Sequence, residues 1–578
     1  MFPAFFYFKS LVHPHTKREL LGMIKISGNN FGVGVYLNQM KKQLQQLIQQ
    51  AIKSAFGIDF NLEKIKVDYP PEGMGDFSTN VALLLAKEVG RGPMEVAEEL
   101  KAVCSGPTAR PQRDADGPLQ FEKIEVAPPG FLNLYLAEKA VQEAVQKINK
   151  EKNKFGDSKF GEGKKIHLDF VSANPTGPVT VGNARGGSMG DVLANIFQKV
   201  GFEPYREYYV NDAGNQIRIL GHSILGDEEA QYKGKYIDDL REKIQKKDPE
   251  EIGGEAVKII LEEIIKPSME KFGIKFDNYF SEKDLIASGK ADEAINELKE
   301  KDFIYEKEGA QWFKATEFGD DKDRVVVKST GEKTYFGSDI GYHKNKFERG
   351  FDHLVDVWGA DHHGDVTRVK GAVEALGYGE KLDILLNQLL RVIKDGKEVR
   401  ISKRTGTYVS LDDLIDEVGC DATRFFFLMH SADTHMTFDL DLAKEKSEKN
   451  PVYYVQYAHA RIASILSRFA RSGIVGRKAE GLSRAQLSEL HPKERALIFE
   501  LLKFPDLVEE ISKNYAVHYL PQYAIGLADK FHSFYNDCKV IDEANPELTA
   551  ARLELVKVVQ IVLAEVLRLM GISAPEKM

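Results

Sequence analysis

The stretch Ile166–Val200, IHLDFVSANPTGPVTVGNARGGSMGDVLANIFQKV, decides the fold. IHLDFV is a short apolar run and reads as a buried strand, ANPTGPVTVGNARGG as a glycine-rich loop, and SMGDVLANIFQKV as a helix stopped by Gly201. Pro204 to Val210 supplies the next strand. A strand–loop–helix–strand order needs a crossover, and right-handed crossovers build a parallel, doubly wound, Rossmann-like α/β sheet. Ligands of such a sheet lie at the carboxyl ends of its strands.

Outward from this unit the chain divides. On the N-terminal side Leu44, Leu47, Ile48, Ala51 and Ile52 recur at helical spacing, and a second helix is predicted across Val81–Val89. FEKIEV, the turn residues Pro128, Pro129 and Gly130, and FLNLYL read as two strands at a hairpin-like corner, giving a small α+β domain over 40–150. EKNKFGDSKFGEGKK, which follows, is either a linker or a surface loop. The sheet-bearing domain runs over 160–449, with a charged, mostly helical insertion at about 220–323 before strands resume at Arg324–Val327. Beyond it Val452, Val455, Ala458, Ile462, Leu466 and Phe469 form one helical stripe, and 450–578 reads as an all-α bundle. Its last helix, LELVKVVQIVLAEVLRLM, is apolar nearly all round, as a central helix would be. Residues 1–39 carry few acids and no helical period. They are read as a tail, an organelle presequence, or upstream sequence ahead of a start at Met40.

Composition excludes several classes. At 578 residues the chain exceeds what one core organises. No apolar run reaches the ~18 residues of a membrane span, so no membrane partner is expected. Cys104, Cys420 and Cys538 stand far apart without a CxxC pair, which argues against disulfides and structural zinc and fits a reducing cytoplasm. The net charge of −9 excludes a whole-surface polyelectrolyte binder but not a local basic face.

Two segments carry nucleotide chemistry. TGPVTVGNARGG, Thr176 to Gly187, leads into a helix N-terminus, where free N–H groups and the helix dipole favour phosphate; Gly182 lets a nucleotide approach the backbone. A plain βα turn is the competing reading, and neither GxxxxGK[ST] nor GxGxxG is present. RISKRTG, Arg400 to Gly406, is a basic loop whose Lys403 would act as a mobile point charge on a leaving pyrophosphate; a solvated basic turn is the alternative. WGADHHGD packs Asp361, His362, His363 and Asp365 as metal ligands would be, but the further Asp and His ligands of a metal phosphoesterase are missing.

Together the two segments are similar to the paired nucleotide motifs of class I aminoacyl-tRNA synthetases, standing here as TVGN and RISKR. DFVSANPTGP, YREYYVNDAGNQI, TYFGSDIGYH, VWGADHHGDVTRVK and the ending GISAPEKM make the chain resemble bacterial-type arginyl-tRNA synthetases in particular. GDFSTNVALLLAKEVG and APPGFLNLYL look like that family's added tRNA-contacting N-terminal domain, and 450–578 like its helical anticodon-binding domain. The resemblance implies ATP-dependent activation of L-arginine and its transfer to the terminal ribose of tRNA(Arg), with Mg²⁺ accompanying ATP, adenylation that needs bound tRNA, RNA rather than DNA as the nucleic acid, and a monomer by default. It assigns Lys403, Asn183 and Thr180 to catalysis, and Thr176, Gly182, Asn183, Gly359, Asp361, Ser402 and Lys403 to ATP. Asp169 and Asn174 go to the α-amino end of arginine, Tyr335 and Asp339 to its guanidinium, and His363 also to the amino acid. A guanidinium calls for a carboxylate in fork geometry, which Asp339 suits. On the first bundle helix Gln456, Tyr457 and Arg461 are the candidate RNA contacts, mixing stacking surface with polar and cationic groups.

One departure matters: Thr180 stands where the family's first motif histidine is usual. A short hydroxyl stabilises a shifting triphosphate charge less well, which predicts a slowed enzyme. It also motivates the alternative of a catalytically impaired, synthetase-like tRNA-binding protein.

Overall fold

The computed structural model describes residues 36–71, 73–105, 121–399, 409–471 and 490–578, with side chains from residue 41. Ser402 and Lys403 therefore lie outside the described residues, as does nearly all of the N-terminal segment.

The core of the molecule is a five-stranded, all-parallel sheet. Its strands are β1 (Lys165–Asp169), β2 (Glu203–Val210), β3 (Asn278–Ser281), β4 (His353–Gly359) and β5 (Leu382–Asn387), in spatial order β5-β4-β1-β2-β3. This is the doubly wound order predicted. Its direction reverses between β1 and β4, where ligands of such sheets bind. Two corrections concern the region read as an insertion. Asn278–Ser281, inside it, is the sheet's edge strand, and Arg324–Val327 belongs to a separate antiparallel three-stranded sheet with Ile304–Lys307 and Ala310–Phe313. A four-residue strand in a charged, helix-rich stretch has too short a period to be heard.

Helix α1 (Val181–Lys199) starts inside the segment read as a loop. NARGG is helical despite its glycines because α1 lies against the sheet: a Cβ on Gly190 would sit 2.3 Å from the Phe170 ring, and one on Gly187 2.7 Å from Val171. Packing here overrides glycine's poor helix propensity. The fully buried Arg185 of α1 donates to the carbonyls of Gln388 (3.0 Å), Ser431 (2.9 Å) and Thr434 (3.0 Å), pinning the segments that lead from β5 towards the C-terminal half.

The N-terminal part has the helix Tyr36–Phe56, which begins before Met40, and the predicted hairpin Phe121–Ala127/Phe131–Leu136, extended by Phe77–Thr79 into an antiparallel sheet. The stretch after Glu151 is a packed connection: Phe155 is buried and stacks on Phe504, and Asn153 and Asp157 accept from the buried Lys199 of α1 at 2.9 and 2.7 Å. At the C-terminal end α3 (Pro451–Arg471), α4 (Tyr519–Asp537), α5 (Pro546–Leu569) and the helices Pro492–Leu502 and Phe504–Asn514 form the bundle. Helix α5 is buried along nearly its whole length, and among the described residues no helix is long and apolar enough to cross a membrane.

Candidate active site

The turn expected to meet the nucleotide follows β1. Thr180 caps α1: its hydroxyl accepts the Asn183 N–H (3.2 Å) and donates to Asn183 Oδ1 (2.6 Å). The hydroxyl proton is thereby spent within the turn, and the Asn183 amide nitrogen is turned away from Thr180. Gly182 is held from behind by Asn387 at the end of β5, whose Nδ2 donates to the Gly182 carbonyl (3.1 Å). Thr176 gives its carbonyl to the Tyr236 hydroxyl (3.0 Å). Thr180 also pairs with Ser410, and Leu411 N–H donates to the Val179 carbonyl (2.9 Å). Ser410 and Leu411 are thus fastened to the turn that opens α1.

Gly359 ends β4, and Asp361, His362 and His363 follow exposed on the turn Ala360–Asp365. His362 pairs with Asp365 (3.1 Å), and among the described residues no group of three His, Cys, Asp or Glu side chains is placed to hold a metal.

The residues expected to meet the amino acid stand on helix α2 (Tyr335–Glu348), which Thr334 caps. Tyr335 is exposed at its start, with its hydroxyl near Gly214. Asp339, one turn further in, has no ion pair with another described residue, and burial pushes its carboxyl up to about 6, His343 and Lys346 opposing and Asp365 and Asp356 adding. Beside it lies Glu282, an acid the sequence reading passed over. Burial, reinforced by Asp339 and Asp212 and opposed by the Ser338 and Tyr209 hydroxyls, raises Glu282 to about 7, with no cation paired to it among the described residues; Asn211 Oδ1 is buried without a partner. A lone glutamate in the charged run SEKDL gives no signal in sequence; only the fold brings it to Asp339. Asn211 also donates to Asn174 Oδ1 (3.3 Å), and Asn174 is exposed.

Asp169 closes β1, accepting from the Ser172 hydroxyl (2.5 Å) and from Lys346 Nζ (3.1 Å). The acids differ in their pairing: among the described residues Asp339 and Glu282 have no ion pair, whereas Asp169 is paired with Lys346.

On the bundle, Gln456 is corrected as an RNA contact. It is buried and donates to Asp421 (2.8 Å) and to the Ser573 carbonyl (2.9 Å), fastening α3 to the chain's last residues. Tyr457, 40% exposed, stacks between Tyr453 and His532, and Arg461 lies over Tyr457 and Tyr535. These contacts form an aromatic–cationic ladder with Tyr457 exposed on α3. On an amphipathic helix Gln456 and Tyr457 look alike in sequence; only the packing direction separates them.

Comparison with known proteins agrees along the chain. The arginyl tRNA synthetase N-terminal domain profile matches residues 42–136, the class I (R) tRNA synthetase catalytic domain profile 144–248 and 227–429, and the DALR anticodon-binding domain profile 455–578. The chain is similar to the curated arginine–tRNA ligase 1 of Halalkalibacterium halodurans, 42% identical over 571 residues, covering 94% of this chain and 100% of that one. It is also similar to the arginine–tRNA ligase of Carboxydothermus hydrogenoformans, 43% identical over 542 residues, covering 90% and 94%. Its fold resembles the solved arginyl-tRNA synthetases of Thermus thermophilus (TM-score 0.71, 24% identity, 93% of this chain and 100% of that one) and Plasmodium falciparum (TM-score 0.72, 19% identity, 93% and 99%). With relatives more than 40% identical matched over nearly its full length, the chain belongs to the arginyl-tRNA synthetase family.

Proposed function

We propose that Asp339 and Glu282 receive the guanidinium of arginine while Asp169 receives its α-ammonium. The observation that carries this is Asp339: a carboxylate drawn into the protein, with no cation paired to it among the described residues, costs free energy unless a ligand brings one. A guanidinium supplies that charge with forked donors and pairs with both acids, and Tyr335 stands exposed at the start of the same helix. Asn174 would steady the α-amino end.

The enzyme activates arginine and charges tRNA. An arginine carboxylate oxygen attacks the α-phosphorus of ATP, supplied as its magnesium complex, and pyrophosphate departs. A terminal ribose hydroxyl of tRNA then attacks the arginyl carbonyl, and AMP leaves. No covalent enzyme intermediate is needed, so catalysis comes from positioning and charge stabilisation. The free N–H groups opening α1 and the outward Asn183 amide would hold the phosphates, with Gly182 and Gly359 giving close approach, Thr176, Asp361, Ser402 and Lys403 the further ATP contacts, and His363 beside the amino acid. Thr180 acts here through Asn183, as its positioning residue. Tyr457 and Arg461 would stack and pair with exposed tRNA bases. Recognition of tRNA(Arg), a monomeric state and a cytoplasmic setting complete the reading by family likeness.

The test is arginine-dependent ATP–pyrophosphate exchange by the purified protein, with and without tRNA(Arg), and lysine as the control. Exchange that requires arginine and tRNA is expected. Binding of tRNA with no exchange would favour the impaired, non-catalytic alternative.

A further inference from the structure

Three acids stand in one row across the parallel strands: Asp356 on β4 lies in register with Asp169 on β1, and Asp169 with Glu207 on β2. Neighbouring like charges on a sheet repel, and buried ones repel strongly. Helix α2 answers the row with one face. Lys346, with no exposed surface, donates to Asp169 (3.1 Å) and to Asp356 (2.9 Å), and its ammonium lies 4.0 Å over the Tyr342 ring. His343 faces Asp356 Oδ2 through Nε2 (2.8 Å) and the backbone carbonyl of Asp339 through Nδ1 (2.7 Å). Arg349 and His167 serve Glu207.

Followed end to end, these contacts make a continuous chain: Asp169, Lys346, Asp356, His343, Asp339. It runs from the Asp169 carboxylate, read above as the α-ammonium contact, to the backbone carbonyl of Asp339, whose carboxylate is read as the guanidinium contact. We infer that Lys346, held by Asp356 and joined through His343 to the backbone of Asp339, is a positioning residue that fixes the distance between the two ends of the arginine pocket and so selects an amino acid of arginine's length. The inference rests on the pocket reading given under Proposed function.

Lys346 is suited to this. One ammonium between two carboxylates leaves one negative charge over, which an incoming α-ammonium completes. Because Asp169 is gripped on one oxygen by Ser172 and on the other by Lys346, its direction is set from both sides. Buried polar networks with every member satisfied are rigid, and a rigid frame is what discrimination by one methylene requires.

The experiment compares Lys346→Met with wild type in ATP–pyrophosphate exchange with tRNA(Arg) present, using arginine, homoarginine and 2-amino-4-guanidinobutanoate, which are one methylene longer and shorter. The expected result is a KM for arginine raised about tenfold with KM for ATP within about twofold, and a preference for arginine over its homologues that falls about tenfold. An unchanged preference, with all three substrates slowed by one factor, would overturn the inference and leave Lys346 as scaffold alone. Asp356→Asn, which keeps the shape but not the charge, gives the same reading should Lys346→Met fail to fold. Asp339→Asn and Asp169→Asn run beside them: if neither changes the KM for arginine, the pocket reading itself has failed, whereas a change in both with unaltered length preference in Lys346→Met refutes only the brace.

Discussion

Helix α2 serves two groups of acids, and the contrast between them is instructive. On the sheet, Asp356 and Glu207 are buried yet matched: burial would push both carboxyls up, but Lys346 and His343 around Asp356, and His167 and Arg349 around Glu207, hold them well below the usual carboxylate range. At the pocket, Asp339 and Glu282 are pushed up instead, to about 6 and about 7, with no cation paired to them among the described residues. The same residue type is scaffold where the protein supplies the counter-charge and binding site where it leaves the charge to a ligand.

The largest expected effect separates the two groups by one substitution in each. Asp339→Asn should lower kcat/KM for arginine by about 100-fold or more, since a charged pair to the ligand is lost. It should also stabilise the ligand-free protein near pH 8 by about 2 kcal/mol, because a carboxyl whose folded pKa is raised carries a penalty fully present above that pKa and relieved below its unfolded value. Asp356→Asn should do the opposite to stability, lowering it at neutral pH, because its carboxyl is depressed and contributes stability above its unfolded pKa. Exchange kinetics with thermal melts check both. Equal destabilisation by the two variants would erase the distinction.

A smaller effect applies the same logic to α3. Tyr457→Ala should raise KM for tRNA about tenfold with arginine KM unchanged, as stacking on an exposed base is lost. Gln456→Ala should lower the melting temperature instead, since its amide ties α3 to Asp421 and Ser573. Charging assays at varied tRNA concentration distinguish them. The smallest effect is at the phosphate turn: Thr180→Val removes the helix cap and should cost about 1 kcal/mol of stability with a severalfold rise in KM for ATP, and Thr180→Ser should restore both.

The sequence made the central sheet legible because IHLDFV, the crossover helix and the following strand keep clean periods and have turn residues between them. Asp339 was legible through the chemistry of a guanidinium and the TYFGSDIGYH run. What escaped depends on contacts between distant segments. The edge strand Asn278–Ser281 forms because β2 offers it a partner. Glu282 matters because that strand carries it to α2, and NARGG is helical because Phe170 and Val171 press on it. The direction of Gln456 is decided by Asp421 and Ser573, one in another domain and one at the chain's end.

The central claim is that arginine supplies the charge the pocket lacks. Pairing with a guanidinium lowers the pKa of Asp339 and Glu282, so near pH 6.5 binding must drive protons off them, and near pH 8.5, where both are already ionised, it must not. Calorimetric titration of the enzyme with arginine at both pH values, each in two buffers of different ionisation enthalpy, measures this directly. Net proton release at pH 6.5 that vanishes at pH 8.5 and shrinks in Asp339→Asn is the predicted result, whereas arginine binding with no proton release at pH 6.5 would contradict the account.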